Sequence, residues 1–77
     1  MKTPRENKRI KNMCHDLGNM LQSAGFYNTK VWYDEKPEVV VVEGDVEAAV
    51  NVHASSVKGC LVDIFEQLGP AIRKAAY

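Results

Sequence analysis

The hydrophobic positions of the chain follow a helical period at both ends and a strand period in between. From residue 10 to residue 24 they recur at intervals of three and four, which places them along one side of an α-helix. Thr3-Pro4-Arg5-Glu6 fits a capping box with proline at the first helical position, and Gly25 supplies a left-handed stop. The predicted first helix therefore buries Ile10, Met13, Cys14, Leu17, Met20, Leu21 and Ala24.

Three short segments rich in β-branched and aromatic residues follow Gly25. Residues 27–33, 38–43 and 46–53 are predicted strands, and Asp34-Glu35-Lys36-Pro37 and Gly44-Asp45 are the predicted turns between them. Connections this short are typical of antiparallel pairing, because a parallel crossover needs a dozen or more residues. The middle of the chain is therefore predicted to be an antiparallel meander.

A second helical stripe follows the strands. It comprises Val57, Cys60, Leu61, Ile64, Phe65 and Leu68. Ser55 or Ser56 is the expected cap, and Gly69-Pro70 is expected to end or bend the helix, with a short final helix over residues 70–76. We predict an α+β fold of order αβββα, a single domain over residues 1–77 with both helices packed on one face of a three-stranded sheet.

This topology is similar to that of the double-stranded RNA-binding domain. That family carries a lysine cluster at the start of its last helix, where this chain has Ser55-Ser56-Val57-Lys58-Gly59-Cys60. The family also carries a Gly-Pro-x-His element between its first two strands, where this chain has Asp34-Glu35-Lys36-Pro37. The resemblance implies the topology, and the RNA-binding residues of the family are not carried over.

A two-residue turn at Gly44-Asp45 predicts which side chains share a face of the sheet. In that register Glu43 pairs with Val46, and the helices cover Val39, Val41, Val46, Ala48, Val50 and Val52. If the first turn spans Glu35-Lys36, Trp32 lies over the core. One more turn residue would place Trp32 on the open face instead. With the Glu35-Lys36 turn, which we favour, the open face carries an apolar patch of Val31, Tyr33, Val40, Val42 and Ala49.

An uncovered apolar patch predicts an interaction surface. We expect Val31, Tyr33, Val40, Val42 and Ala49 to bind a second copy of the chain or a protein partner, since oligomerisation often stabilises small domains. The alternative interpretation is that exposed valines only stabilise their strands, because β-branched side chains suit them.

Composition narrows the function mainly by exclusion. The 77 residues are 45% hydrophobic and 26% charged with no net charge, which is typical of a globular domain. The longest apolar run, residues 39–42, is too short to span a membrane, and the basic N-terminal segment lacks the apolar core of a signal peptide. We expect a cytoplasmic protein, such as a bacterial or phage accessory protein, with Cys14 and Cys60 as free core thiols.

The charge is unevenly distributed along the chain. Residues 1–11 hold five basic side chains against one acidic side chain, a net charge of +4. Nucleic-acid binding is therefore an alternative function, since lysine and arginine neutralise phosphates. An isoelectric point near 6.7 and the spread of these residues around the helix argue against it. The residues concerned are Arg5, Lys8, Arg9 and Lys11.

His15, Asp16, Asn19 and Leu21 match a short His-Asp-x-x-Asn-x-Leu pattern. It resembles the histidine box of some bacterial sensor kinases and phosphotransferases, which implies His15 as a phosphoacceptor and Asp16 as a proton acceptor. Those proteins place the box in a helical hairpin, whereas strands follow this helix. The sequence shows no metal-type cysteine or histidine spacing and no glycine-rich phosphate loop. We therefore predict a non-catalytic protein without a cofactor.

Overall fold

Two helices and three strands form the fold, which a computed structural model describes for residues 2–77. The elements are α1 (Pro4–Ser23), β1 (Lys30–Asp34), β2 (Val39–Glu43), β3 (Ala48–Asn51) and α2 (Val57–Ala76). The strands pair antiparallel with β2 in the centre. Helix α1 packs on β1, α2 packs on β3, and the helices contact each other. The predicted αβββα order is confirmed, and both helices cover the same face.

The ends of α1 are those that the sequence predicts. The Glu6 N–H donates to Thr3 Oγ1 at 3.2 Å, and the Thr3 N–H donates to Glu6 Oε1 at 2.9 Å, which completes the capping box. Gly25, just beyond the helix, has a φ of 110°. A residue with a side chain rarely adopts this conformation, so the helix stops there.

Helix α2 continues through Pro70 to Ala76, so of the two predicted alternatives, an end or a bend at Gly69-Pro70, the end with a separate final helix over residues 70–76 is wrong. Gly69 has no Cβ to clash with the proline ring, which removes one of the usual penalties. The proline also leaves the carbonyl of Glu66 without its helical donor, but Glu66 lies on an exposed turn where water can bind it. The helix starts at its predicted serine cap, since the Gly59 N–H donates to Ser56 Oγ at 3.0 Å.

The core lies between the helices and one face of the sheet. Cys14 and Cys60 are free and buried within it, as predicted. Burial and, to a smaller extent, the neighbouring Cys60 together raise the pKa of the Cys14 thiol to about 11, and burial also raises the pKa of the Cys60 thiol. Both thiols are therefore protonated and unreactive at neutral pH. The buried residues are Ile10, Cys14, Leu17, Leu21, Tyr33, Val40, Val42, Val46, Val50, Val52, Cys60, Ile64 and Leu68.

The predicted register of the second hairpin is wrong by one residue. Val41 pairs with Ala49 rather than with Ala48, and Val42 pairs with Ala48. The cause is Val46, which lies in the loop after Gly44-Asp45 and is only 1% exposed because its side chain enters the core. This additional loop residue shifts the pairing of β2 with β3 by one residue. Because the side chains of a strand alternate between its two faces, the β2 side chains that were predicted to lie on the open face lie on the covered face instead.

The first hairpin has a longer turn than predicted. Asp34 pairs with Val39, so residues 35–38 form the turn in place of Glu35-Lys36. The turn has two more residues than predicted. Because side chains alternate between faces, an even number of added residues leaves the facing unchanged, and Val31 and Tyr33 still share a face with Val40, as predicted. That face is nevertheless the one that the helices cover.

Candidate interaction surfaces

The predicted interface is largely part of the core. Tyr33, Val40 and Val42 are buried, and Val31 is half-buried and packs against them. Ala49 is exposed and lies on the open face, as predicted. The first four residues are therefore not available to a partner, because the one-residue shift in β3 places its apolar side chains and those of β2 on the same, covered face.

The open face carries a different apolar row. Trp32 pairs with Val41 and Val41 pairs with Ala49, so the row crosses all three strands. Trp32 is 40% exposed, which contradicts the expectation that it lies over the core. Charged side chains flank the row on one side, where Lys30 pairs with Glu43. The even number of residues in the first turn was predicted correctly, so the row was missed because of the one-residue error in the register of the second hairpin.

A second apolar surface lies on α2. Leu61, Val62 and Phe65 are 38%, 55% and 55% exposed, although the sequence placed Leu61 and Phe65 in the core stripe. The core needs a narrower stripe, and Cys60, Ile64 and Leu68 fill it. We call the exposed residues Leu61, Val62 and Phe65 the α2 strip.

The predicted nucleic-acid residues are all exposed on α1. Arg5, Lys8, Arg9 and Lys11 lie along its first two turns, and the Lys11 Nζ is 3.1 Å from Glu35 Oε1. One of the four charges is therefore already paired within the chain, through an exposed contact of small energy. Binding of nucleic acid stays a prediction.

A groove runs between α1 and the outer edge of β1. One part has a volume of about 400 Å³ and the adjoining part about 280 Å³. His15, the predicted phosphoacceptor, is exposed and borders both parts next to Val31 and Trp32. The helix side of the groove consists of Lys11, Cys14, His15, Gly18, Asn19 and Gln22, and the strand side of residues 29–33. We call it the β1 groove.

A charged cluster that the sequence analysis missed joins three distant parts of the chain. The Lys2 Nζ is 3.2 Å from Glu38 Oε1 and donates to the Val52 carbonyl at 2.6 Å. His53 Nδ1 hydrogen-bonds the other Glu38 oxygen. Lys2 and His53 are 51 positions apart in sequence, so no local pattern could have paired them.

Glu38 is the centre of this cluster. The hydrogen bond from His53 is the main cause that lowers the pKa of Glu38, the contact with Lys2 lowers it further, and burial opposes both. The backbone of Glu38 has a φ of 54°, and its carbonyl accepts from the Val52 N–H at 2.9 Å. A strained backbone of this kind persists only where the surrounding contacts hold it. The cluster therefore links the segment before α1, the first turn and the end of β3.

Chemically, the cluster orients one imidazole. A carboxylate on Nδ1 leaves Nε2 as the ring atom that can exchange a proton or bind a ligand. Across residues 2–77, however, no three histidine, cysteine or acidic side chains are grouped so that they could hold a metal ion. Tyr33 lies close to this cluster. Burial raises the pKa of its hydroxyl, and the charge of Glu38 also contributes to the rise. The Tyr33 hydroxyl donates to Asn7 Oδ1 at 3.1 Å. The arrangement joins three parts of the chain and stabilises the fold.

No protein-family model matches this chain, and no curated protein or solved structure is significantly similar to it. Within the described part of the chain, neither helix is long and apolar enough to cross a membrane. The surfaces described above are therefore the basis for a functional proposal.

Proposed function

We propose that the protein is a small non-catalytic interaction module that binds a second copy of itself through the open face of its sheet. The observation that carries the proposal is the row Trp32, Val41 and Ala49, an apolar band across three strands that no other element covers. Two free thiols stay reduced in the cytoplasm, which is where we propose that the module acts.

The pattern of the open face is complementary to itself. A twofold axis along β2 stacks β1 of one copy over β3 of the other. Trp32 then faces Ala49, a large side chain against a small one, and Val41 faces Val41. In the next row Lys30 faces Glu47, which is exposed and lies two residues before Ala49 on the same side of the strand. In the same row, however, Glu43 faces Glu43 of the other copy, which opposes the contact between Lys30 and Glu47. The shape of the face, rather than its charge, therefore supports a symmetric pair.

The size of this face predicts a weak dimer. The longest strands have five residues and three strands form the sheet. With strands spaced about 4.8 Å apart, such a face is smaller than the roughly 800 Å² that each partner contributes to a standard interface. We expect dissociation at micromolar or higher concentration.

Size-exclusion chromatography with light scattering over a range of concentrations tests the proposal. We expect the mass to rise towards twice 8.6 kDa as the concentration increases. Trp32→Glu should give a monomer, whereas Tyr27→Glu, which changes an exposed aromatic residue outside the sheet, should not. Lys30→Glu should weaken the dimer, and adding Glu47→Lys should restore it. A wild type that stays monomeric at about 1 mM would refute self-association.

A second candidate is binding of a protein through the α2 strip, favoured by the exposure of Leu61, Val62 and Phe65. The same experiment separates the two. Self-association that persists in Trp32→Glu but is lost in Phe65→Ser would move the interface from the sheet to α2.

Repeating the runs in low salt with duplex and single-stranded nucleic acid tests the basic residues of α1. A complex that Lys8→Glu with Lys11→Glu abolishes would favour that alternative.

A further inference from the structure

Among residues 2–77, no strand lies beside the outer edge of β1. In an edge strand every second residue turns its backbone N–H and C=O away from the sheet, and these groups form a template for another strand. At the start of β1 a side chain already serves as a substitute partner, since Gln22 Nε2 donates to the Thr29 carbonyl at 3.2 Å. The groove leaves space next to the rest of the edge.

Thr29 carries an unpaired hydroxyl beside this groove. It borders the β1 groove and is 1% exposed. Its Oγ1 has no hydrogen-bond partner among the residues that the structure describes. Buried hydroxyl groups without a partner are rare in folded proteins, because they lose their hydration without compensation. Because this oxygen has almost no accessible surface, a strand added to β1 reaches it only if the edge of β1 shifts.

Gly18 leaves room on the helix side of the groove. It lies in the interior of α1, where glycine destabilises a helix relative to alanine. A Cβ at this position would meet no atom within 4 Å, so packing within the chain does not explain the glycine. The absent side chain widens the groove opposite residues 29 and 30.

From these observations we infer that the β1 groove binds an extended acidic peptide of a partner protein, which adds to β1 as a fourth strand. Such strand addition is a common mode of peptide recognition. The proposal does not depend on self-association through the open face, which leaves the edge of β1 free.

A second copy of the whole domain does not fit this edge. Helix α1 packs directly on β1, so pairing two β1 strands would place two α1 helices about as far apart as neighbouring strands. Strands are spaced about 4.8 Å apart, whereas packed helices need about 8–10 Å. The added strand must therefore come from a segment that has no helix of its own above it.

The charge of the groove favours an acidic peptide. Lys11, His15 and Lys30 line it and no aspartate or glutamate does, although Lys11 also contacts Glu35 outside the groove. The groove along the opposite edge, β3, has the reverse character, because Asp63 and Glu66 line it without any basic residue. An acidic strand is thus attracted to β1 and repelled from β3.

The alternation of a strand then sets the pattern of the peptide. Every second side chain points towards α1, where Lys11 and His15 line the groove and Gly18 leaves space, and suits an acidic residue. The remaining side chains lie on the open side, beside Trp32, and suit a small aliphatic residue. A capped five-residue peptide that alternates glutamate and valine is the simplest probe with this chemistry.

Titration of the isotope-labelled protein with this peptide, followed by amide NMR, tests the proposal. We expect the largest shifts at Thr29, Val31 and Tyr33. Gly18→Leu should fill the groove and weaken binding at least about tenfold. Asn12→Leu places the same side chain on α1 outside the groove and should leave binding unchanged. Ala49→Lys should also leave it unchanged, even where it abolishes the dimer.

Three control peptides complete the experiment. A peptide of alternating lysine and valine should bind much more weakly. An acidic peptide with proline in place of its central residue should also bind more weakly, because proline has no backbone N–H to donate to β1. The same composition in scrambled order should lose the alternation and bind weakly. Any one of four results would overturn the proposal. The first two are that the acidic peptide does not bind and that the lysine peptide binds equally well. The other two are that the shifts centre on β3 and that Gly18→Leu leaves the affinity unchanged. Displacement of the peptide by a short single-stranded DNA at equal concentration would assign the groove to nucleic acid instead.

Discussion

The two hairpin loops of this small sheet are held by different forces. Residues 35–38, between β1 and β2, end in Glu38, whose carboxylate binds Lys2 and His53. The loop between β2 and β3 has no such ion pair. It is held by Val46, which is buried in the core, and by Gly44, which lies against the backbone of Asn28. The Asn28 N–H also donates to Asp45 Oδ2 at 3.1 Å, so the second loop includes one hydrogen bond to a carboxylate. The first loop is therefore held mainly by charge and the second mainly by packing.

This difference has consequences for stability. Ionic contacts depend on protonation and weaken in acid, whereas packing contacts do not titrate. The loop held by packing also determines the register of β3, and with it the face on which each strand residue lies. Damage to the second loop should therefore cost more than damage to the first, and the two should respond differently to pH.

The largest effect is expected for Gly44→Ala. Gly44 has a φ of 124°, and a Cβ there would lie 1.8 Å from the Asn28 carbonyl oxygen. Backbone strain and overlap together should reduce the free energy of unfolding by more than about 3 kcal/mol, measured by urea denaturation. Gly25→Ala is the matched control, because Gly25 has a φ of 110° and open space around it. Its loss should be about 1–2 kcal/mol, and equal losses would show that the contact with Asn28 is unimportant.

Val46→Ala should have the next largest effect. The side chain is 1% exposed, and removing two methyl groups from a packed site should lower the free energy of unfolding by about 2–3 kcal/mol. Val62→Ala, at a residue that is 55% exposed, should change it by less than about 0.5 kcal/mol. Thermal unfolding followed by circular dichroism measures both. A small loss in Val46→Ala would mean that Val46 does not anchor the loop.

Glu38→Gln should separate the two loops by pH. The pKa of Glu38 is lowered in the folded protein, so its carboxylate stabilises the fold fully above the ordinary glutamate pKa of about 4.3. This contribution is lost as the pH falls through the lowered pKa of the folded state. The stability difference between wild type and Glu38→Gln should therefore be present at pH 7 and shrink in acid.

The control for this pH series is Val46→Ala. Its deficit should be the same at pH 7 and in acid, since no titratable group is changed. A Glu38→Gln deficit that is constant over the same range would show that charge does not hold the first loop.

The smallest effect is expected at Thr29, next to the Asn28 backbone on which the second loop rests. Thr29→Val keeps the shape and removes a hydroxyl that has no partner, so it should raise the free energy of unfolding by up to about 1 kcal/mol. Thr29→Ser keeps the hydroxyl, loses the methyl group and should lower it. A destabilised Thr29→Val would show that the hydroxyl has a partner in solution, such as a bound water.

Local patterns predicted much of the fold. The capping box at Thr3 and the stop at Gly25 are confirmed. The predicted stripe is confirmed in part, because Met20 and Ala24 are exposed while Ile10, Cys14, Leu17 and Leu21 are buried. The candidate surfaces were predicted less well. Val40 and Val42 were expected to be exposed and are buried, while Trp32 was expected in the core and lies on the open face. A single misplaced loop residue caused the first error, because the side chains of a strand alternate strictly between faces.

The sequence by itself determined the order of the elements, the limits of α1 and the burial of both cysteines. These depend on the spacing of residues within one element and on caps a few residues away. Only the tertiary structure decided which face of the sheet the helices cover, because that depends on Val46 entering the core and on Gly44 meeting Asn28. It also brought Lys2 and His53 to Glu38, over 36 and 15 positions of sequence. Contacts between residues so far apart form only when the chain folds, and no local pattern encodes them.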